Sequence, residues 1–189
     1  STGFGIAIVS SSGKLLGCAR GCPPHWCATA AAAEALALLQ VLRMQPFPPH
    51  MVTDCMALLT TIQSDPQQAT RANKQPARIL TDVATTLGGC FRGLAESQHL
   101  TWMPAHTTAK SVGEVKLSSG VRLTMLHWRA NRLVDALAKM SALQAQDLPD
   151  ALRLIKSAEV AVRYAAKLLG RTTYAANHHR TVVTGEDGK

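Results

Sequence analysis

Between Thr29 and Met44 the chain runs Thr-Ala-Ala-Ala-Ala-Glu-Ala-Leu-Ala-Leu-Leu-Gln-Val-Leu-Arg-Met, strong helix formers that stop before Pro46, Pro48 and Pro49. Nearly every face of that helix is apolar, and a helix apolar all round is buried. Strands lie on both sides of it. Gly3 to Val9 is apolar and β-branched, Ser10 to Lys14 is turn chemistry, and Leu15 to Arg20 can pair back, which predicts a hairpin. Met51-Val52-Thr53 predicts a short strand that ends at Asp54, followed by helical spacing from Cys55 to Ile62. Gln67 to Gln75 reads as polar loop, Pro76 to Leu94 as a helix interrupted near Gly88-Gly89, and His99 to Met103 as a strand. A Ser, Gly and Lys rich insert spans about 107–125, and Trp128 to Leu143 is a helix with Leu133, Val134, Leu137, Ala138 and Met140 as its apolar stripe. A last helix is expected from Pro149 to about Leu169, and the tail from Gly170 to Lys189 is expected to be loose.

With 189 residues, 47% hydrophobic and 17% charged, the chain can bury a core and is not a disordered tail. No apolar run approaches the length of about 20 residues needed to cross a bilayer, so no membrane partner is expected. Twenty Lys and Arg against twelve Asp and Glu give +8, which favours a polyanion, nucleic acid first. The excess lies downstream of residue 70, since Lys14, Arg20 and Arg43 balance Glu34, Asp54 and Asp65 before it. Five cysteines without paired spacing fit reduced thiols in an intracellular compartment. Cys18, Cys22, His25 and Cys27 are clustered, but they form no Cys-x-x-Cys knuckle and no second pair follows, so small strand and loop residues are the better reading.

Glu34 is the sole charge between Arg20 and Arg43 and shares a helical face with Ala37, Leu38 and Val41. Buried, it needs a cation, a donor or a metal; at a groove edge it reaches water. Asp54 stands where a strand gives way to a helix, which also suits an N-cap, and Asp135 has Lys139 four residues on, which also suits a solvated ion pair. Brought to one point, the three carboxylates are hard oxygen ligands for Mg²⁺ or Mn²⁺, and two such ions can drive in-line phosphodiester cleavage. His106 follows the strand from Leu100 to Met103; it is either a proton carrier at that edge or an ordinary loop histidine. On the last helix Lys156, Arg163, Lys167 and Arg171 form one basic stripe, available to phosphate or simply solvated.

These residues resemble the ribonuclease H family, and within it the domains of non-LTR retrotransposon polyproteins. Ala33-Glu34-Ala35-Leu36-Ala37-Leu38 is similar to the helix that supplies the family's glutamate, and Thr53-Asp54-Cys55 to its strand-end Thr-Asp-Ser step. Trp102-Met103-Pro104-Ala105-His106-Thr107 is similar to its Trp-x-Pro-Ala-His-Thr segment, and Asn131 to Ala138 to its Asn-x-x-x-Asp-x-x-Ala helix.

The resemblance, which spans about Gly3 to Met140, implies a mixed sheet flanked by helices over 1–143 and two Mg²⁺ or Mn²⁺ ions held by Glu34, Asp54 and Asp135, with His106 moving protons. Independently of it, the residues themselves predict an insert at about 107–125 and a basic helical extension with a tail over 144–189, where Lys156, Arg163, Lys167 and Arg171 are expected to hold nucleic acid. The implied activity is endonucleolytic hydrolysis of the RNA strand of an RNA/DNA hybrid, within a retroelement reverse transcriptase polyprotein. The rival is a binding module of the same fold that does no chemistry. Two departures accompany the resemblance. The stretch from His106 to Asn131 is longer than the family's connection, and no residue matches the Asp that the family's first strand places across both ions. The chain as given is therefore expected to lack that strand and to be nearly inactive, to expose a sheet edge at Gly3 to Val9, and to belong to a longer, active hydrolase.

Overall fold

The computed structural model describes residues 2–27, 29–96, 99–145 and 149–180. They divide into two compact units, Ser1–Gln146 and Asp147–Lys189. The first is mixed α/β. Its hairpin joins β1 (Phe4–Val9) to β2 (Leu15–Gly21) antiparallel, with Ile6 opposite Ala19 and a register shift at Ile8/Val9. Ser10 closes the turn, taking hydrogen bonds from Gly13 and Lys14, and Gly13 supplies the left-handed backbone the turn needs (φ 85°).

Helix α1 (Ala30–Met44) starts at Thr29, whose hydroxyl accepts from the Ala32 amide, and ends before the prolines. It contributes to two apolar clusters. Ala33 and Ala37 lie against Phe4 and Ile6 of the hairpin. Ala32, Ala35, Leu38, Leu39 and Leu42 enter the main core with residues of α2 (Met56–Gln63), α4 (Ala77–Thr86) and the Phe91–Leu94 turn. The helix is thus apolar all round because it has neighbours all round.

Strand β3 (Met51–Thr53) pairs parallel with β4 (Leu100–Trp102), Thr53 opposite Trp102. Among the described residues the antiparallel and parallel pairs share no ladder, so there are two two-stranded sheets rather than one mixed sheet. What joins them is α1.

Helix α6 (Met125–Gln144) lies against the hairpin face opposite α1. β1 alternates, with Phe4 and Ile6 toward α1 and the glycines between them toward α6. A Cβ on Gly3 or Gly5 would run into the α6 backbone at Ala138 or Val134. These glycines set how deep α6 sits.

Several elements differ from the sequence reading. The polar loop carries a short helix, α3 (Pro66–Ala69), started by Asp65 accepting from the Gln67 amide. The Pro76–Leu94 helix is interrupted at Gly88 and Gly89, both left-handed, as expected, but its second part, α5 (Arg92–Glu96), continues past Leu94. Helix α6 begins at Met125 rather than Trp128 because Thr124 and His127 cap each other reciprocally. Met140, expected in its apolar stripe, is half exposed.

The insert builds a small core against the end of the preceding segment: Met103, Leu117 and Leu123 are buried together, with Val112 and Val115 against them. In the second unit α7 (Pro149–Asn177) runs well past Leu169, so residues expected to be loose are helical through Asn177. Thr172 donates back to the Leu168 and Leu169 carbonyls, and the Tyr174 and His178 rings stack at 4.0 Å. The end of the expected tail, 181–189, lies outside the described residues. No described helix is long and apolar enough to cross a membrane.

Candidate active site

Thr53 is the buried end of β3, and its hydroxyl does two things. It accepts from the Cys55 amide at 3.1 Å, turning the chain out of the strand, and it donates to Glu34 Oε2 at 3.2 Å, linking α1 to the strand end. Asp54 follows. Its carbonyl accepts from the indole N–H of Trp102 at 3.1 Å, so the neighbouring strand holds the backbone that presents its carboxylate. Its Oδ2 accepts from Asn131 Nδ2 of α6 at 3.4 Å. Asp54 is not the helix cap: Cys55 occupies that position in α2.

Three acids from three elements share one electrostatic environment. Burial first, then the charge of Asp54 and the more weakly felt charge of Asp135, push the Glu34 carboxyl above its ordinary value, while the Thr53 hydroxyl pulls it down. Glu34 is half-buried, as are Asp54 and Asp135. Asp135 forms no ion pair with Lys139 among the described residues. It lines a cleft of about 360 Å³ with His106, Thr107, Trp128, Asn131, Arg132 and Lys139.

His106 is exposed at this cleft and is the one described non-glycine residue with left-handed backbone (φ 55°). Its neighbour is fastened from α6, where the Trp128 indole donates to the Thr107 carbonyl at 3.1 Å. The insert is fastened from the strand, where the Trp102 amide donates to Ser118 Oγ at 2.8 Å and the Ser118 amide returns to the Trp102 carbonyl at 2.9 Å. His106 therefore stands on a stiff support.

Among the described residues no group of three or more His, Cys, Asp or Glu side chains is close enough to enclose a metal ion. Their chemistry nevertheless suits a hard dication. Three half-buried carboxylates act on one another electrostatically, and burial penalises the charge of Glu34. The cysteine cluster behaves differently. Cys22 Sγ donates to the Ser141 carbonyl and Cys27 Sγ to the Gln75 carbonyl, and Cys18 is exposed.

Lys156, Arg163, Lys167 and Arg171 are exposed on α7, in the second unit. Sequence reasoning did not single out Thr53, Trp128, Arg132 or Lys139 as site residues. The signal for three of them was present, because Trp128, Arg132, Asp135 and Lys139 recur at helical spacing on one face of α6. Compared with protein-family models, curated proteins and solved structures, the chain finds no match.

Proposed function

We propose that the chain is a ribonuclease H-like domain that hydrolyses the RNA strand of an RNA/DNA hybrid, within a retroelement reverse transcriptase polyprotein acting inside the cell. The observation that carries this reading is that the charges of Asp54 and Asp135 both act on Glu34, while Asn131 of α6 donates to Asp54 and Asp135 lines a cleft that also holds His106.

Glu34, Asp54 and Asp135 would hold Mg²⁺ or Mn²⁺. Two such ions, when bound, activate a water and stabilise the leaving oxygen of an in-line displacement. The protein's own groups do the rest. Thr53 orients Glu34, Asn131 and the Trp102 indole fix Asp54 from two sides, and Arg132 and Lys139 offer positive charge to phosphate at the cleft. His106 moves the proton to the leaving 3' oxygen. The basic face of α7 adds attraction for the polyanion that is independent of base sequence.

The absence of a closed carboxylate group among the described residues favours a second reading, a module that binds the hybrid without cutting it. Labelled hybrid incubated with excess protein in Mg²⁺ or Mn²⁺ separates the two. Metal-dependent RNA fragments, abolished by Asp135→Asn, establish the nuclease. Retention of the hybrid without product, by this chain and by one extended upstream with a strand that carries the family's first Asp, establishes the module, and failure to bind the hybrid at all removes both.

A further inference from the structure

Helix α7 is exposed from Ala151 onward along its whole described length, including large apolar side chains: Leu154 (73%), Val162 (68%), Leu169 (68%), Leu168 (52%) and Ile155 (51%). At 3.6 residues per turn these five occupy an arc of about 140°. Ala158 and Ala165, seven residues apart, run down the middle of the arc, with the two leucines 154 and 168 on one rim and Ile155, Val162 and Leu169 on the other. Lys156, Arg163, Lys167 and Arg171 fall within about 80° on the opposite side.

We propose that this face is a homodimer interface: α7 of one copy lies antiparallel against α7 of a second, the alanines at the line of closest approach and the rims interdigitating. Four features select a second copy as the occupant. The first is shape. A seam of alanines with bulky rims lets another helix approach closely, as apolar residues repeating every seven do in helix pairs. A helix meant for a lipid surface puts bulky and aromatic groups at the centre of its apolar face. Here the centre is alanine, and both tyrosines, Tyr164 and Tyr174, lie outside the arc.

The second is charge. Facing apolar arcs send the two basic arcs in opposite directions, roughly 20 Å apart, beyond the screening length of about 8 Å at physiological salt. The third is direction. Lys167 and Arg171 lie in the C-terminal half with no acid beside them, Arg163 is at the midpoint, and in the N-terminal half the sequence sets Asp150 and Glu159 against Arg153 and Lys156, so an antiparallel pair sets each basic half beside the partner's neutral half. The fourth is area. Two such stripes along a helix of about 40 Å remove on the order of 1,000–1,200 Å² from water, the lower end of specific interfaces, as expected for a reversible dimer.

Sedimentation of the full chain under reducing conditions, which its five cysteines require, tests this over about 1–100 µM, a range centred on micromolar affinity. The wild type should pass from monomer to dimer. Ala165→Phe should weaken the dimer about tenfold or more although it adds apolar surface, because it holds the helices apart, and Leu168→Glu should abolish it. Circular dichroism checks that each variant keeps its helix; if Ala165→Phe loses helix, Ala158→Phe replaces it. A wild type monomeric throughout overturns the proposal, as does a dimer indifferent to both substitutions. Binding to anionic phosphatidylserine vesicles that Ala165→Phe strengthens, with no dimer, assigns the face to lipid instead.

Discussion

Asn131 on α6 donates from Nδ2 to Asp54 Oδ2 at 3.4 Å, the hydrogen bond that fastens the helix carrying Asp135 to the strand end carrying Asp54. The two residues are 77 positions apart in the chain, yet one amide sets the relation of two acids. Such a group orients a carboxylate without taking its place.

Asn131→Ala should therefore leave the helix content unchanged and weaken Mn²⁺ binding about 10–100-fold, the range for losing a group that orients a metal ligand. Isothermal titration with Mn²⁺ reads this directly. Affinity equal to that of the unaltered protein would show that Asp54 needs no support from α6.

Glu34→Gln should move stability and function in opposite directions. The folded-state value of Glu34 is raised above its ordinary 4.5, chiefly by burial. Its favourable contribution is thus fully present below that value and is lost as pH rises through the higher folded-state one. In metal-free protein at pH near 7 the glutamine should add on the order of 1 kcal/mol, about 2–4 °C in Tm for a chain of this size, while removing metal-dependent cleavage. Thermal melts at pH 5 and pH 7 give the sign: the gain should be larger at pH 7.

His127 makes α6 sensitive to acid. Its ring accepts from the Thr124 amide in the reciprocal cap, and burial first, then the charge of His50, hold it below its ordinary 6.5. A depressed histidine contributes stability that is present above the unfolded value and lost as pH falls through the folded one. Amides of the first turn of α6 should exchange faster as pH falls below about 6.5, after correction for intrinsic rates, and His127→Gln should flatten that dependence.

Neutralising Lys156, Arg163, Lys167 and Arg171 together should weaken hybrid binding and lower the slope of log affinity against log salt by about 3, since each lost phosphate contact removes 0.7–0.9. Anisotropy titrations between about 50 and 200 mM salt measure it. An unchanged slope means a solvated face.

Local chemistry made much of the first unit legible. The buried α1, the hairpin, the Asp54 strand end and the α6 face all follow from short-range patterns in apolar residues, turn residues and prolines. What sequence did not reveal depends on contacts across the chain. Thr53 as the partner of Glu34 needs α1 and β3 to meet, and a lone threonine at a strand end carries no mark of it. The extra turn of α6 needed a capping box in which histidine, rather than glutamate, reaches back. The insert's polar composition concealed four apolar residues, Val112, Val115, Leu117 and Leu123, that meet each other and Met103 only after the chain folds over. Continuation of α7 beyond Leu169 escaped notice because Gly170 and the threonines are poor helix formers.

Helix α1 is the sole apolar wall common to the hairpin cluster and the main core, and no ladder crosses between the two sheets among the described residues. Such an arrangement should open first at its seam, the hairpin and α6 swinging out while α1, α2 and α4 stay closed. Asp54 belongs to one side of that seam, Asp135 to the other, and Glu34 to the wall between. A cation held by both aspartates would act as a clasp: binding the shut form alone, it would suppress opening in proportion to its occupancy, so hairpin amides, more than those of α4, should slow their exchange when Mn²⁺ is added.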